Sequence, residues 1–306
     1  MEPQPNQVNR PWDSDIKIGD RPSVPIPAAT SILQIFDQPD IAGKLLILGA
    51  PGSGKTTTML DLANALVEKA EQQPNYPIPV LLNLSTWKDN NQSMQDWLAA
   101  ELKSKYGVRK DIGKAWVENR QLLPLLDGLD ELEVVRQESC AKAINQLLES
   151  DARPPDLVVC SRLEEYNTYP TNLQLHGAIC LRELDNPQIQ AYLTAAQQPQ
   201  LWHLFQDDPT LLELVRKPLL LSISVLSGQE LAAEQWHTLS STQDRLQHLL
   251  DAYVRRMMAR KLKTTTYGKC QPPHPDKTRR WLTILAQQLK CESQTEFLIE
   301  EMQSTW

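Results

Sequence analysis

The sequence lacks several features that would assign it immediately to a known class of protein. Its five cysteines are odd in number, widely spaced and without any C-x-x-C pair or cysteine–histidine cluster, which argues against a disulfide framework and a zinc site. Its apolar runs, of which residues 218–226 form one of the longest, fall far short of the about eighteen or more residues of a membrane helix. The N-terminus has no basic segment followed by an apolar one, the pattern of a secretory signal. We therefore predict a cytoplasmic protein with reduced thiols and no membrane association.

A surplus of positive charge is also missing. The 306 residues carry 31 Lys and Arg against 38 Asp and Glu, which gives a net charge of −7. Nucleic acids and anionic membranes both attract proteins with excess positive charge, so the composition argues against binding to either through the overall charge of the chain. The length suits one main domain of about 150 to 180 residues with a smaller second unit.

Residues 49–56 are the most informative segment of the chain. Their sequence, Gly-Ala-Pro-Gly-Ser-Gly-Lys-Thr, fits the phosphate-loop pattern G-x-x-x-x-G-K-[ST] at every required position. The apolar run 45–48 before the loop predicts a buried parallel strand, and the apolar spacing from Met59 to Ala70 predicts an amphipathic helix after it. Strand, glycine loop and helix thus follow in the order that a phosphate-binding loop requires.

The residue types of this loop explain how it would hold a nucleoside triphosphate. Glycines allow successive backbone N–H groups to face the phosphates, and the following helix adds its positive N-terminal end. Lys55 would reach the β- and γ-phosphates, and the Thr56 hydroxyl would ligate Mg²⁺. The residues predicted to contact the nucleotide here are Gly49, Ala50, Pro51, Gly52, Ser53, Gly54, Lys55, Thr56 and Thr57.

The chain divides by composition into segments of different character. Residues 1–24 are rich in Pro, Asn, Asp and Gln with few large apolar side chains, which predicts a flexible segment. Residues 25–197 alternate strand and helix patterns, which predicts an α/β domain with a parallel sheet. Residues 198–240 and 241–306 show only helical patterns, and we predict two helical units there. The predicted strands are residues 45–48, 80–84, 125–126, 157–160 and 178–181.

Two prolines lie in or beside these predicted strands. Pro79 precedes the second strand, a position that suits the start of a strand or the edge of a sheet. Pro124 lies inside the apolar run 122–126 and has no N–H to donate, so we expect the ladder of that strand to begin only after Pro124.

Acidic and basic residues follow the third and fourth predicted strands. Asp127 would lie at the carboxyl end of its strand, facing the phosphate loop, and would hold Mg²⁺ directly or through water. Asp130 and Glu131 come one short turn later, and either could orient the attacking water. Arg162 follows the next strand, where its charge could sense a γ-phosphate and stabilise the transition state. The predicted catalytic residues are Lys55, Asp130, Glu131 and Arg162, and the predicted metal ligands are Thr56 and Asp127.

Together these segments resemble the NACHT family of signal-transducing NTPases, and its bacterial members most of all. The resemblance rests on Ser31-Ile32, the phosphate loop with its strand, residues 79–87, residues 125–131 with the small Gly128 after Asp127, and Cys160-Ser161-Arg162. It implies a five-stranded parallel P-loop NTPase sheet in the order 5-1-4-3-2, flanked by helices and followed by an all-helical C-terminal unit. Residues 216–221 resemble the proline motif of the family, in which Pro218 would pack near the nucleotide base.

The resemblance also implies a function. Members of the family act as switches that are closed with ADP, open with ATP and assemble into a signalling oligomer as helical and winged-helix parts move. The chain is therefore expected to bind ATP or ADP with Mg²⁺ and to hydrolyse ATP slowly. A nucleotide-dependent homo-oligomer and an unidentified protein partner are expected as well. Residues 198–240 would be the small helical domain and residues 241–306 the start of the winged-helix-like one.

Other functions stay open at the level of sequence. A motor or remodelling ATPase of another P-loop class would share both phosphate-site motifs. Nine basic residues between 255 and 280 suggest a nucleic-acid-binding module, although their helical spacing favours solvated helix faces and argues against nucleic acid as a partner. No N-K-x-D element follows a strand, so ATP is favoured and GTP remains an alternative.

Overall fold

The computed structural model describes residues 14–19, 21–27, 30–88, 92–227, 241–260 and 273–291. The described residues form two compact units, of which the first ends at Arg182 and the second begins at Glu183. The boundary that the sequence predicts between residues 197 and 198 lies within the second of these units.

The first unit is built around a seven-stranded sheet. Its strands are β1 (Ser14–Ile18), β2 (Val24–Pro25), β3 (Lys44–Gly49), β4 (Ile78–Asn83), β5 (Leu122–Asp127), β6 (Leu157–Arg162) and β7 (Gly177–Leu181). Their order across the sheet is β2-β1-β7-β3-β6-β5-β4. Neighbouring strands are parallel from β7 to β4, whereas β1 runs antiparallel to both β2 and β7.

The parallel strands confirm the predicted topology. In chain order β3 to β7 are the first to fifth predicted strands, so the sheet order β7-β3-β6-β5-β4 is 5-1-4-3-2. The central strands β3, β5 and β6 are almost wholly buried, as expected for apolar strands that helices cover on both faces. Because the carboxyl ends of parallel strands share one edge, Gly49, Asp127 and Arg162 all lie at that edge of the sheet.

Strands β1 and β2 differ from the prediction that residues 1–24 are flexible. The ladder between β1 and β7 runs from Ser14, opposite Leu181, to Ile18. Ile16 and Ile18 pack against the core of this unit, and Asp15 forms an ion pair with Arg182 at 2.6 Å. The edge of β7 supplies the hydrogen-bond partners, and the polar composition of the segment gives no sign of that distant strand. Residues 1–13 lie outside the described residues.

Pro124 lies inside β5, which corrects part of the prediction. The ladder between β4 and β5 starts before Pro124 and includes its pairing with Val80. Pairing with β6 covers Leu125 and Leu126, so on that side the ladder does begin after the proline. A residue in a strand directs its N–H to one neighbour only, and a proline is therefore tolerated where that one bond is not made. Pro79 lies in β4, the last strand in the sheet order.

Helices cover both faces of this sheet. They are α1 (Ile32–Phe36), α2 (Lys55–Gln72), α3 (Met94–Tyr106), α4 (Lys110–Glu118), α5 (Val134–Glu149) and α6 (Leu163–Tyr166), with short 3₁₀ turns at Leu84–Thr86 and Leu129–Glu131. Side chains alternate along β3, so Leu45 and Ile47 join the core under α2 while Leu46 joins the other core. That second core contains Trp87 and Trp97, both buried.

The second unit is helical in its described residues, as predicted. Its helices are α7 (Asn186–Ala195), α8 (Leu201–Asp207), α9 (Pro209–Val215), α10 (Pro218–Ser227), α11 (Thr242–Ala259) and α12 (Pro275–Cys291). Among the described residues of this unit, Ile189, Phe205 and Leu249 belong to one buried core. Asp208 caps α9 through the N–H of Thr210 and also pairs with Arg245 of α11 at 2.9 Å. None of the described helices is long and apolar enough to cross a membrane.

Candidate functional site

The phosphate loop connects β3 to α2 at the carboxyl edge of the parallel sheet. Gly52 and Gly54 have φ angles of 76° and 96°, in the left-handed region that residues with a side chain rarely adopt. Gly54 is also the N-cap of α2, so the loop leads directly into the positive end of an 18-residue helix. Glycine at both positions thus lets the backbone wrap around that helix N-terminus.

The centre of the loop is closely packed and contains an unsatisfied hydroxyl group. Gly49 has no room for a side chain, because a Cβ there would collide with Ser53 Oγ and lie 3.2 Å from Leu181 Cβ. Ser53 is buried, and its hydroxyl has no hydrogen-bond partner among the described residues. A buried polar group without a partner costs free energy, and a phosphate oxygen would supply the missing acceptor. The loop therefore fits a phosphate ligand.

Lys55 is the first residue of α2 and turns back over the loop. Its ammonium group donates hydrogen bonds to the carbonyl oxygens of Gly49 at 3.1 Å and Ala50 at 3.2 Å. These contacts hold the positive charge at the mouth of the loop, where phosphate oxygens would meet it.

Asp127, at the end of β5, and Thr56, in the first turn of α2, come together across this edge. Burial raises the pKa of Asp127, while hydrogen bonds from the Thr56 side chain and the Gly128 N–H oppose the rise. The Gly128 N–H lies 2.9 Å from Asp127 Oδ1. A hydroxyl beside a carboxylate fits Mg²⁺, which takes few protein oxygens and completes its shell with phosphate and water. In the described part of the chain, no group of three or more His, Cys, Asp or Glu side chains could hold a metal ion by itself.

Asp130 and Arg162 form a close pair next to these residues. Asp130 Oδ1 accepts the backbone N–H of Arg162, and its Oδ2 lies next to the guanidinium Nε, both at 2.9 Å. The Asp130 side chain is only 6% exposed, whereas that of Arg162 is 41% exposed. Burial raises the pKa of Asp130, and the charges of Lys55 and Arg162 oppose the rise. Both carboxylate oxygens of Asp130 are therefore engaged by Arg162.

Glu131 makes a contact that the sequence-based prediction missed. Its Oε2 accepts a hydrogen bond from Nδ2 of Asn83 at 3.2 Å. Asn83 is the last residue of β4, in register with Asp127 at the end of β5. A polar residue at the carboxyl end of the second predicted strand was the signal that could have identified it, since the ends of parallel strands share one edge.

The structure brings most of the predicted site residues together. The side chains along this edge are those of Lys55, Thr56, Asp127, Asp130, Glu131 and Arg162, beside the phosphate loop. Thr57 is half-buried in the first turn of α2. Pro218 belongs to the second unit, where it is buried as the first residue of α10.

The part of the chain that contains the site matches a known protein family. The NACHT domain family matches residues 44–196, which is half of the chain and runs from the start of β3 to the end of α7. A search of curated proteins found no match. Among solved structures, the Aeropyrum pernix ORC1 protein in complex with DNA is similar at 13% sequence identity and a TM-score of 0.40, over 82% of this chain and 78% of that chain. Because the NACHT domain matches half of the chain, with the phosphate loop inside the matched residues, the chain belongs to the NACHT family of P-loop NTPases.

Proposed function

We propose that this chain is an ATP-binding, Mg²⁺-dependent NTPase of signal transduction that switches between ADP- and ATP-bound conformations and hydrolyses ATP slowly. The observation that carries the proposal is the convergence of the phosphate loop, the Thr56–Asp127 pair and the Asp130–Arg162 pair at one edge of the sheet. Enzymes of phosphoryl transfer work mainly by positioning and by stabilising negative charge, and this edge offers groups for both.

Each group at the edge has a proposed role. The loop N–H groups and Lys55 would bind the β- and γ-phosphates, and the buried Ser53 hydroxyl would donate to a phosphate oxygen. Thr56 and Asp127 would hold Mg²⁺, which neutralises phosphate charge when bound. Glu131 would orient the attacking water, because both oxygens of Asp130 are engaged by Arg162.

The surroundings of Arg162 support slow hydrolysis. Its guanidinium lies between Asp130 at 2.9 Å and Glu165 at 3.2 Å, so two carboxylates neutralise the charge that would act on a γ-phosphate. Loss of a well-placed arginine costs about 10³ to 10⁵ in the rate of phosphoryl transfer. The isolated chain is therefore proposed to turn over slowly.

The conformational part of the proposal rests on membership of the family. The helical unit would respond to the nucleotide, with Pro218 packing near the base and residues 241–306 starting the winged-helix-like part. ATP rather than GTP, a nucleotide-dependent homo-oligomer, an unidentified protein partner and a cytoplasmic location belong to the same proposal.

Nucleic acid is not part of this proposal. Of the basic residues between 255 and 280, Arg279 pairs with Asp251 at 3.3 Å, and the ammonium group of Lys277 lies 4.8 Å from the ring centre of Trp281. These basic side chains thus already have partners within the helical unit. Residues 261–272, which include three more of the basic residues, lie outside the described residues.

The affinity of a Lys55→Ala variant for ATP tests the proposal. Two charge-assisted contacts to phosphate would be lost, each worth about 1.5–3 kcal/mol, so titration calorimetry should show ATP binding at least about 100-fold weaker or absent. Lys69→Ala is the matched control, since Lys69 lies on the same helix and pairs with Asp37 at 2.9 Å. An affinity of the Lys55→Ala variant for ATP equal to that of the wild type would refute the proposal.

The nucleotide that co-purifies with the protein separates a switch from a motor. Tightly held ADP, identified by chromatography of the denatured protein, is expected for a switch. A site free of nucleotide after purification would instead favour a rapidly cycling remodelling ATPase.

A further inference from the structure

Gln137 is a polar residue on the apolar face of helix α5. This face packs into the core of the first unit through Cys140, Ala141 and Ile144, all of which are buried. Gln137 lies three residues before Cys140, on the same face, and is itself only 4% exposed. A buried amide costs free energy unless hydrogen bonds replace those that it makes with water. The residue is therefore expected to bond to polar groups of the fold.

The Gln137 amide binds two backbone carbonyl oxygens beside Glu131. Its Nε2 donates to the oxygen of Asp130 at 3.1 Å and to the oxygen of Leu132 at 2.9 Å. A flip of the amide would place Oε1 against these two oxygens, so the contacts themselves fix its orientation. Since Glu131 is the residue between the two carbonyls, Gln137 holds the backbone on either side of it.

The turn that carries Glu131 is short. It is the 3₁₀ turn at Leu129–Glu131, in which the Glu131 N–H bonds to the oxygen of Gly128 at 3.0 Å. Turns of this kind have poorer hydrogen-bond geometry than an α-helix. The next helix does not begin with a side-chain cap either, because in the described structure the side chain of its N-cap, Glu133, makes no capping bond. Gln137 thus ties the turn to a helix that is fixed in the core.

Burial alone does not orient the peptide groups of this turn. Leu129 and Leu132 are buried and hold the segment on the core, but apolar contact is non-directional. Hydrogen bonds, in contrast, depend on angle as well as distance. The peptide groups on either side of Glu131 set the direction in which its side chain leaves the backbone, so the two bonds from Gln137 bear on where its carboxylate can reach.

We propose that Gln137 is a positioning residue that aims Glu131 at the water that attacks the γ-phosphate. The inference rests on the proposed function, because it takes Glu131 as the residue that orients this water. The bonds from the Gln137 amide go to the backbone beside Glu131 and not to the phosphate loop. Their loss should therefore lower kcat and leave the affinity for ATP unchanged.

A Gln137→Met variant tests the inference by turnover. Methionine is similar in length and shape but has no N–H to donate, so the carbonyl oxygens beside Glu131 lose their partner. Single-turnover hydrolysis with enzyme in excess should be slower by about 10- to 100-fold, since misplacement by about 1 Å can cost about 100-fold. Titration calorimetry should give the wild-type affinity for ATP. Should this variant not fold, Gln137→Ala leaves room for water to satisfy the two oxygens, and the same fall in turnover is expected.

Asn145→Leu is the matched control. Asn145 is a second buried amide on α5, and it bonds to the oxygen of Asn172 at 2.8 Å and to the N–H of Gln174 at 2.9 Å. Its loss should lower the Tm, as the loss of Gln137 does, but leave kcat unchanged because neither partner belongs to the turn that carries Glu131. An equal fall of kcat in both variants, measured well below their Tm, would show a merely structural role and overturn the inference.

Hydrogen exchange tests the contact without any nucleotide. Mass spectrometry of peptides that contain residues 128–132 should show faster exchange of the Glu131 N–H in Gln137→Met than in the wild type, because the turn opens more readily. Asn145→Leu should leave this exchange unchanged. Equal protection in Gln137→Met and the wild type would overturn the inference, whatever the turnover of the variants.

The outcomes separate this inference from the proposed function. If the wild type binds and hydrolyses ATP but Gln137→Met is equally fast, the positioning role is refuted and the proposed function stands. If the wild type shows no measurable turnover, exchange of the Glu131 N–H decides the inference by itself. Failure of the wild type to bind ATP in titration would refute the proposed function itself.

Discussion

At the scale of a single residue, the proposed role of Asp127 favours its ionised form, whereas its burial disfavours that form. Its proposed role at the metal needs an ionised carboxylate, yet its place at the end of a buried strand disfavours the charge and raises its pKa. The hydrogen bonds from Thr56 and Gly128 offset part of this cost. A site prepared for a cation thus carries a destabilising charge as long as the cation is not bound.

The Asp127→Asn variant should therefore be more stable than the wild type in the nucleotide-free protein at neutral pH. Asparagine Oδ1 can still accept the Gly128 N–H, and the buried charge is gone. The raised pKa means that the ionised form is penalised above it, and that the penalty disappears as pH falls through the raised pKa toward the ordinary value of 3.8. Thermal unfolding should show a higher Tm at pH 7, by about 2–4 °C for each kcal/mol gained.

The exposed Asp151 gives the control for this pH dependence. Asp151→Asn should leave Tm close to that of the wild type at every pH, since surface changes usually stay within about 0.5 kcal/mol. A lower Tm of Asp127→Asn at pH 7, or a difference that does not shrink in acid, would contradict the assignment of burial as the cause.

At the level of secondary structure, the five parallel strands follow from short apolar runs, which is why the sequence predicts them. β1 does not follow from its sequence, because Ile16 and Ile18 are the only large apolar residues in it. What makes this segment a strand is the edge of β7, whose N–H and C=O groups pair with it along its length. A distant hydrogen-bonding partner, rather than local propensity, decides its structure.

Substitutions on the two faces of β1 test whether it contributes to the folded sheet. Ile16 packs against the core and Lys17 is exposed, because side chains alternate along a strand. In urea unfolding, Ile16→Ala should cost about 1–2 kcal/mol, less than the about 2–5 kcal/mol of a fully buried position. Lys17→Ala should stay within about 0.5 kcal/mol of the wild type. Equal effects of both changes would show that β1 does not pack as described.

At the level of the whole molecule, the proposed slow turnover and the proposed assembly are linked. Because Arg162 is paired with Asp130 and Glu165, we propose that the arginine that would speed up catalysis beyond what Lys55 supplies comes from another copy. An arginine supplied by a neighbouring subunit is one way in which P-loop enzymes gain rate.

We expect the mass of the protein in solution to depend on the nucleotide. Light scattering coupled to size-exclusion chromatography should give a larger particle with Mg²⁺ and a non-hydrolysable ATP analogue than with ADP. The Lys55→Ala variant should give the smaller particle under both conditions, because it would not hold the γ-phosphate. The same mass with both nucleotides in the wild type would refute a nucleotide-dependent oligomer of this chain.

The sequence by itself determined the features that depend on residues close together along the chain. The phosphate loop, the carboxylate after the third strand and the arginine after the fourth are each recognisable from local spacing, and the strand order followed from the family that they resemble. Tertiary structure alone decided the pairings at the site, since 48 residues separate Asn83 from Glu131 and 32 separate Asp130 from Arg162. The physical reason is register: parallel pairing brings the ends of β4, β5, β6 and β3 to one edge, and the sequence does not show which side chains then fall within hydrogen-bonding distance.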